Sequence, residues 1–248
     1  MKHVLILMCL LLSVTATMAK KEKTKMSLKQ QVAALKWTSP EKTGVESIDK
    51  FYDQGDSLYK HITELADGMT FYDVKMVANE SGDTIVAVVD DEGNIRSGWG
   101  AAKQYVTAGL YATILGSDCA SAVKTGGSII KDAKSLIKVD NPLKAISLIT
   151  ATTKAAKMIT NLANTGTSLV QDFTAQRKKI RKYVKASSSV SELSDPTLRS
   201  IPGVELDETA VITKSDKDFL DGLNKIKAED AELKADADIL KELDSLDN

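Results

Sequence analysis

The chain has 248 residues, 43% of them apolar, with 33 basic and 34 acidic side chains and a formal net charge of −1. That content can bury a core, and so neutral a chain has no overall drive toward nucleic acid or anionic lipid. Two Trp, six Tyr and four Phe supply few platforms for stacking bases or sugars, so no nucleic-acid partner is expected.

Residues 1–19, MKHVLILMCLLLSVTATMA, have the form of a cleavable secretory signal peptide. Lys2 and His3 make a short basic start, Val4 to Val14 is apolar apart from Ser13, and Thr17 and Ala19 place small residues at −3 and −1 of a cut. The apolar run is about half of what crossing a bilayer requires, so cleavage near Ala19 is expected rather than anchoring. The protein is therefore expected to be exported, either periplasmic or secreted. Met8 is too bulky to precede a lipidated Cys9. Losing Cys9 leaves Cys119 as the sole thiol, which excludes an intrachain disulfide, and no disulfide-linked partner is expected. Cys119 lies in DCASAV among small residues at helical spacing and reads as a small buried side chain.

Residues 20–42 comprise a charged spacer, KKEKTK, and a short helix marked by Leu28, Val32 and Leu35 that ends near Trp37. Residues 43–99 form a helix followed by a β-meander. Thr43 and Glu46 have capping-box spacing, and Ile48, Phe51, Tyr52, Gly55, Leu58, Tyr59, Ile62, Leu65 and Met69 recur every three or four residues up to Gly68 as C-cap. From about residue 70 the period becomes two, and turns at Glu80–Asp83 and Asp90–Asn94 separate β-branched runs, predicting two or three antiparallel strands.

Residues 100–186 predict a long helical hairpin. Its first arm carries Val106, Leu110, Ile114, Val123, Ile130 and Ile137 as the apolar stripe, with Gly126-Gly127 as a candidate interruption. Asn141 and Pro142 restart the helix as N-cap and first helical residue. The second arm has Leu148, Ala155, Ile159, Leu162, Gly166, Leu169, Phe173, Ile180 and Val184 along one stripe and reaches about Lys185. Residues 187–215 read as a linker or loop, with a serine triplet, Pro196 and Pro202-Gly203. Residues 216–248 read as an acidic C-terminal helix with Phe219, Leu223, Ile226, Leu233, Ala237 and Leu240 on a near-heptad, as in a coiled coil. Asp230 and Asp244 fall on that seam, which favours docking on the body over free dimerisation. Residues 205–248 hold 14 acidic and 6 basic side chains, a net of −8, so the rest of the chain carries +7. The expected fold is mainly α (α+β): an elongated helical hairpin or bundle with a small antiparallel β-meander and an acidic C-terminal helix.

The sharpest candidate surface is the basic cluster Arg177, Lys178, Lys179, Arg181, Lys182 and Lys185. Five of its six members fall on one side of the helix, leaving Ile180 and Val184 to pack. It reads as a solvated helix end, a dock for the acidic tail, or a contact with an anionic membrane surface. No catalytic, cofactor-binding or metal-binding residue is assigned, and no cofactor is expected. His61 has no nucleophile in a recognisable pattern around it, and one His with one Cys cannot fill a zinc shell. Asp90-Asp91-Glu92-Gly93-Asn94 lacks the spacing of a calcium loop and reads as a hairpin turn. Gly98 and Gly100 make half of a dinucleotide fingerprint, with Lys103 where the third glycine would stand.

The expected function is that of an exported, non-enzymatic binding or scaffolding protein of the cell envelope or extracellular space, acting on an unknown protein partner. The alternative is a membrane-active, pore-former-like helical protein, which the small-residue hairpin favours and Lys144, Lys154 and Lys157 oppose. An enzyme comes third, with His61 and Cys119 as the probes. Intact-mass measurement of the exported protein should place its first residue at Lys20; a chain still carrying Met1 outside the cytoplasm refutes the cleavage.

Overall fold

The computed structural model describes residues 28–68, 70–135, 142–233 and 238–246. The signal segment, Met69, Ile137, the Asn141 cap and Ala237 lie outside the described residues. In chain order the elements are α1 (Leu28–Ala33), α2 (Glu46–Gly68), β1 (Asp73–Asn79), β2 (Thr84–Val89), β3 (Ile95–Arg96), α3 (Gly98–Ser135), α4 (Pro142–Ser187), a 3-10 turn (Pro196–Ser200), β4 (Ile212–Lys214), α5 (Asp216–Leu233) and α6 (Asp238–Ser245). The fold is mainly helical with a small sheet.

The antiparallel arms α3 and α4 form the hairpin, about 57 and 69 Å long at 1.5 Å per residue. Ser97 starts α3: its hydroxyl accepts the Gly100 N–H at 2.8 Å. Gly126 and Gly127 do not interrupt it; the helix runs through both. The arms touch through small side chains. A Cβ at Gly166 would stand 2.5 Å from Cys119 Sγ and 3.3 Å from Ile62, so only glycine admits this approach. The buried face of α3 is consequently Ala102, Tyr105, Ala112, Leu115, Cys119, Ala122, Ile129 and Ala133. This corrects the expected stripe: Leu110, Ile114 and Val123 point to solvent. On α4 the expected stripe is the buried one, from Ala155 and Ile159 through Leu169 and Phe173 to Val184.

α2 lies along both arms. Its start is closed by Asp49, not by Glu46 as its capping-box spacing suggests: the Asp49 carboxylate accepts the Thr43 N–H at 2.6 Å and the Gly44 N–H at 3.0 Å, while Glu46 pairs with Lys50. Tyr52 Oη meets Thr152 Oγ1 at 3.2 Å, and His61 Nδ1 meets Asp118 Oδ2 at 2.7 Å.

The sheet has the order β3-β2-β1-β4. β1 and β2 are antiparallel with Asp73 opposite Val89 and Ala78 opposite Thr84, and β2 continues antiparallel to β3. The antiparallel meander is thus present but incomplete as a description, because β4 joins β1 in parallel with Val77 opposite Ile212. β4 and the 3-10 turn both come from the stretch read as a linker. Alternation sends Val74, Met76, Val86 and Val88 into the helical core. Val77, Ile85, Ala87 and Val89 face the other way, where Phe219 and Ile226 of α5 cover them. The acidic C-terminal region is described as two helices, α5 over the sheet and α6 over the hairpin.

Gly166→Ala should cost about 1–3 kcal/mol in a denaturant melt by overpacking the arms. Cys119→Ala in the same chain should recover most of that loss; no recovery would show that the two positions are not in contact.

Candidate functional surface

The basic cluster at the end of α4 distributes its members over three receivers. Arg177, Arg181 and Lys185 recur every four residues and face α6. Arg177 is buried and donates from Nη2 to the Leu246 carbonyl at 2.9 Å. Arg181 Nε and Lys185 Nζ reach the same Asp244 Oδ1 at 2.7 and 3.1 Å. Lys182 Nζ donates to the Gly203 carbonyl at 3.4 Å, Lys179 pairs with Asp73 at the head of β1, and Lys178 is exposed. Arg177, Arg181 and Lys185 thus all contact the C-terminal segment.

A cleft of about 660 Å³ opens between the β2–β3 turn and α4, lined by Tyr72, Asp73, Asp90, Glu92, Gln176 and Lys179 among others. Its most buried acid, Asp90, is committed to the turn. Asp90 Oδ1 accepts the Glu92 and Asn94 N–H groups at 3.0 and 2.8 Å, and Oδ2 accepts Arg96 Nε at 2.8 Å and Asn94 Nδ2 at 3.2 Å. Burial pushes this carboxyl up, but hydrogen bonds from Asn94 and Arg96 outweigh it and hold its pKa below the ordinary carboxylate value. The carboxylate therefore serves as the turn's fastener.

Cys119 sits inside the hairpin, and burial pushes its thiol up, which disfavours the reactive thiolate. His61 is a boundary residue held by Asp118 across the α2–α3 contact. Tyr105, also buried, stacks edge-on against Phe173 with centroids 5.2 Å apart and donates to Gln176 Oε1 at 2.8 Å; burial raises its pKa well above the usual phenol value.

The outward side of α3 is the surface that the expected stripe concealed. Leu110, Tyr111 and Ile114 are 65, 60 and 42% exposed on consecutive turns. Beside them a shallow depression of about 400 Å³ is lined by Glu64, Leu65, Gly68, Gln104 and Thr107 as well as Tyr111. Leu143 and Ile146 are exposed at the start of α4, and Leu220 at the rim of a groove of about 760 Å³ between α5 and the 187–194 segment. The signal that could have exposed the error is the alanine series: Ala101, Ala108, Ala112, Ala122 and Ala133 define a second stripe at helical spacing, interleaved with Tyr105, Leu115 and Ile129.

No protein-family model matches the chain, and neither a curated protein nor a solved structure matches it.

Because the folded Asp90 is more acidic than the unfolded residue, its contribution is present above the unfolded pKa near 3.9 and is lost as pH falls through the lowered folded value. Asp90→Asn should therefore lose about 2 kcal/mol at pH 7, and the gap to the unaltered protein should shrink as pH approaches 2. A gap that is constant from pH 7 to pH 2 in thermal melts refutes the fastening role.

Proposed function

We propose that the chain is an exported, non-enzymatic binding or scaffolding protein of the cell envelope or extracellular space, and that the outward face of α3 takes its protein partner. The observation that carries this reading is the exposure of Leu110, Tyr111 and Ile114 side by side. Burying one such side chain is worth about 1.5–3 kcal/mol, and contiguous exposed patches of this kind mark interaction sites. Tyr111, lining one depression with Gln104, Thr107 and Glu64, supplies the mixture of aromatic anchor and polar rim found at protein interfaces. The signal-like segment at residues 1–19 supports export.

Membrane association is the second reading. The stretch Gly98–Ala133 is long and apolar enough by length and composition to cross a membrane, with a third of its most apolar window buried. Leu143 and Ile146, with exposed lysines Lys154 and Lys157 farther along the arm, fit contact with an anionic surface.

A photo-crosslinking side chain at position 111 in native cells should give a discrete protein adduct that a crosslinker at the exposed Lys131 does not. Leu110→Ser with Ile114→Ser should reduce that adduct at least fivefold without lowering the melting temperature. Equal adducts at both positions, or none at 111, overturn the protein-partner reading; flotation of the purified protein with anionic vesicles at low salt would then favour the membrane.

A further inference from the structure

The outward side of the first four turns of α4 carries a pattern that the rest of the arm lacks. Leu143, Ile146, Thr150, Lys154 and Lys157 recur every three or four residues, all exposed, and so share one side of the helix over about 21 Å. Leu143 is 79% and Ile146 60% exposed. Farther along, the same side continues as Asn161, Asn164 and Ser168, which are exposed and uncharged. The apolar and cationic residues of this side are therefore gathered at the Pro142 end.

The distribution of charge singles out the same end. Residues 124–157 contain seven lysines and two aspartates, with no arginine or glutamate, a net of +5. The acids of α2, which begins beside this end, are already engaged: Glu46 with Lys50, Asp49 with the Thr43 and Gly44 N–H groups, and Asp53 with Lys42. The acidic tail lies toward the opposite end, since Asp244 meets Arg181, about 57 Å along α4 from Leu143. An anionic surface therefore attracts the Pro142 end more strongly than the tail end and orients the hairpin as it approaches.

Resting on the membrane reading and not on the partner of α3, we infer that this side of α4 is a peripheral docking site for the headgroups of an anionic phospholipid bilayer. Leu143 and Ile146 enter the boundary between headgroups and acyl chains, and the Lys154 and Lys157 stems lie along it with their ammonium groups on the phosphates. The lysines that oppose insertion of this arm thus favour its adsorption, so the helix lies on the bilayer and does not cross it. Two apolar side chains are too little to hold a protein on a neutral membrane, which makes binding depend on lipid charge.

Flotation of the mature chain, Lys20 to Asn248, with dye-loaded vesicles tests this. Vesicles containing phosphatidylglycerol should carry the protein at low salt and keep their dye, and phosphatidylcholine vesicles should leave it behind. Leu143→Ser with Ile146→Ser, and separately Lys154→Glu with Lys157→Glu, should each lower the bound fraction about tenfold with an unchanged melting temperature, because all four side chains are exposed. An environment-sensitive dye on Leu143→Cys should shift to the blue on binding, whereas the same dye on Leu220→Cys of α5 should not. Binding that survives both α4 variants but is lost with Leu110→Ser and Ile114→Ser overturns this docking site and leaves membrane association standing through α3. No binding to phosphatidylglycerol vesicles overturns both, and release of the dye refutes adsorption in favour of insertion.

Discussion

The distance between α3 and α4 governs the rest of the molecule. With glycine at 166 and cysteine at 119, the arms come close enough that α3 can bury little more than methyl groups along much of its length. Two large side chains from α2, Phe51 and Ile62, then fill the angle between the arms, and Tyr105 with Phe173 closes the end nearest the sheet. Close packing on one side leaves the bulky residues of α3 no room inside, so they stand outward. The exposed face and the tight seam follow from one choice of side-chain size.

The sheet stands between two unequal layers. Its inner face rests on the hairpin, with the Tyr183 hydroxyl donating to the Val86 carbonyl at 3.0 Å, and its outer face is covered by α5 together with Leu193. Nearly every residue of β2 is therefore buried, which explains a run of apolar residues where an antiparallel strand facing water would alternate. Polar contacts then decide where the tail's apolar anchors land. Exposed ion pairs contribute little stability, so Phe219, Ile226, Ile239 and Leu243 hold the tail, and the serine hydrogen bonds of Asp216 and Asp230 with the ion pairs of Asp244 set its register.

What the sequence discloses follows the size of the side chains. α2 and α4 were legible because their buried positions are Ile, Leu and Phe, whose period stands out against polar neighbours. α3 has two stripes, one of large residues and one in which alanines and Cys119 alternate with Tyr105, Leu115 and Ile129, and hydrophobicity alone favours the wrong one; the alanine series and the neighbour's glycine point to the other. β4 is three residues, Ile212-Thr213-Lys214, paired with a strand far away in the chain, and no local pattern announces such a partner. The basic cluster was visible as charge, whereas its division among Asp244, Gly203 and Asp73 depends on tertiary placement. Asp49 took the capping role that the spacing of Thr43 and Glu46 suggested for Glu46: its carboxylate accepts the Thr43 and Gly44 N–H groups, while Glu46 pairs with Lys50.

The pairing of β1 with β4 also orders events during folding. Val77 meets Ile212 across 135 positions, and the helix that covers the outer sheet face follows β4 directly. α2, the β1–β2 hairpin and the α3–α4 pair can form while the chain is still emerging, since their contacts are closer in sequence. Until the last forty residues arrive, Val77, Ile85, Ala87 and Val89 remain an open apolar surface. A chain delivered from its N-terminus therefore passes through a stage with a bare strand face, and how long that stage lasts determines how much of it is lost to aggregation.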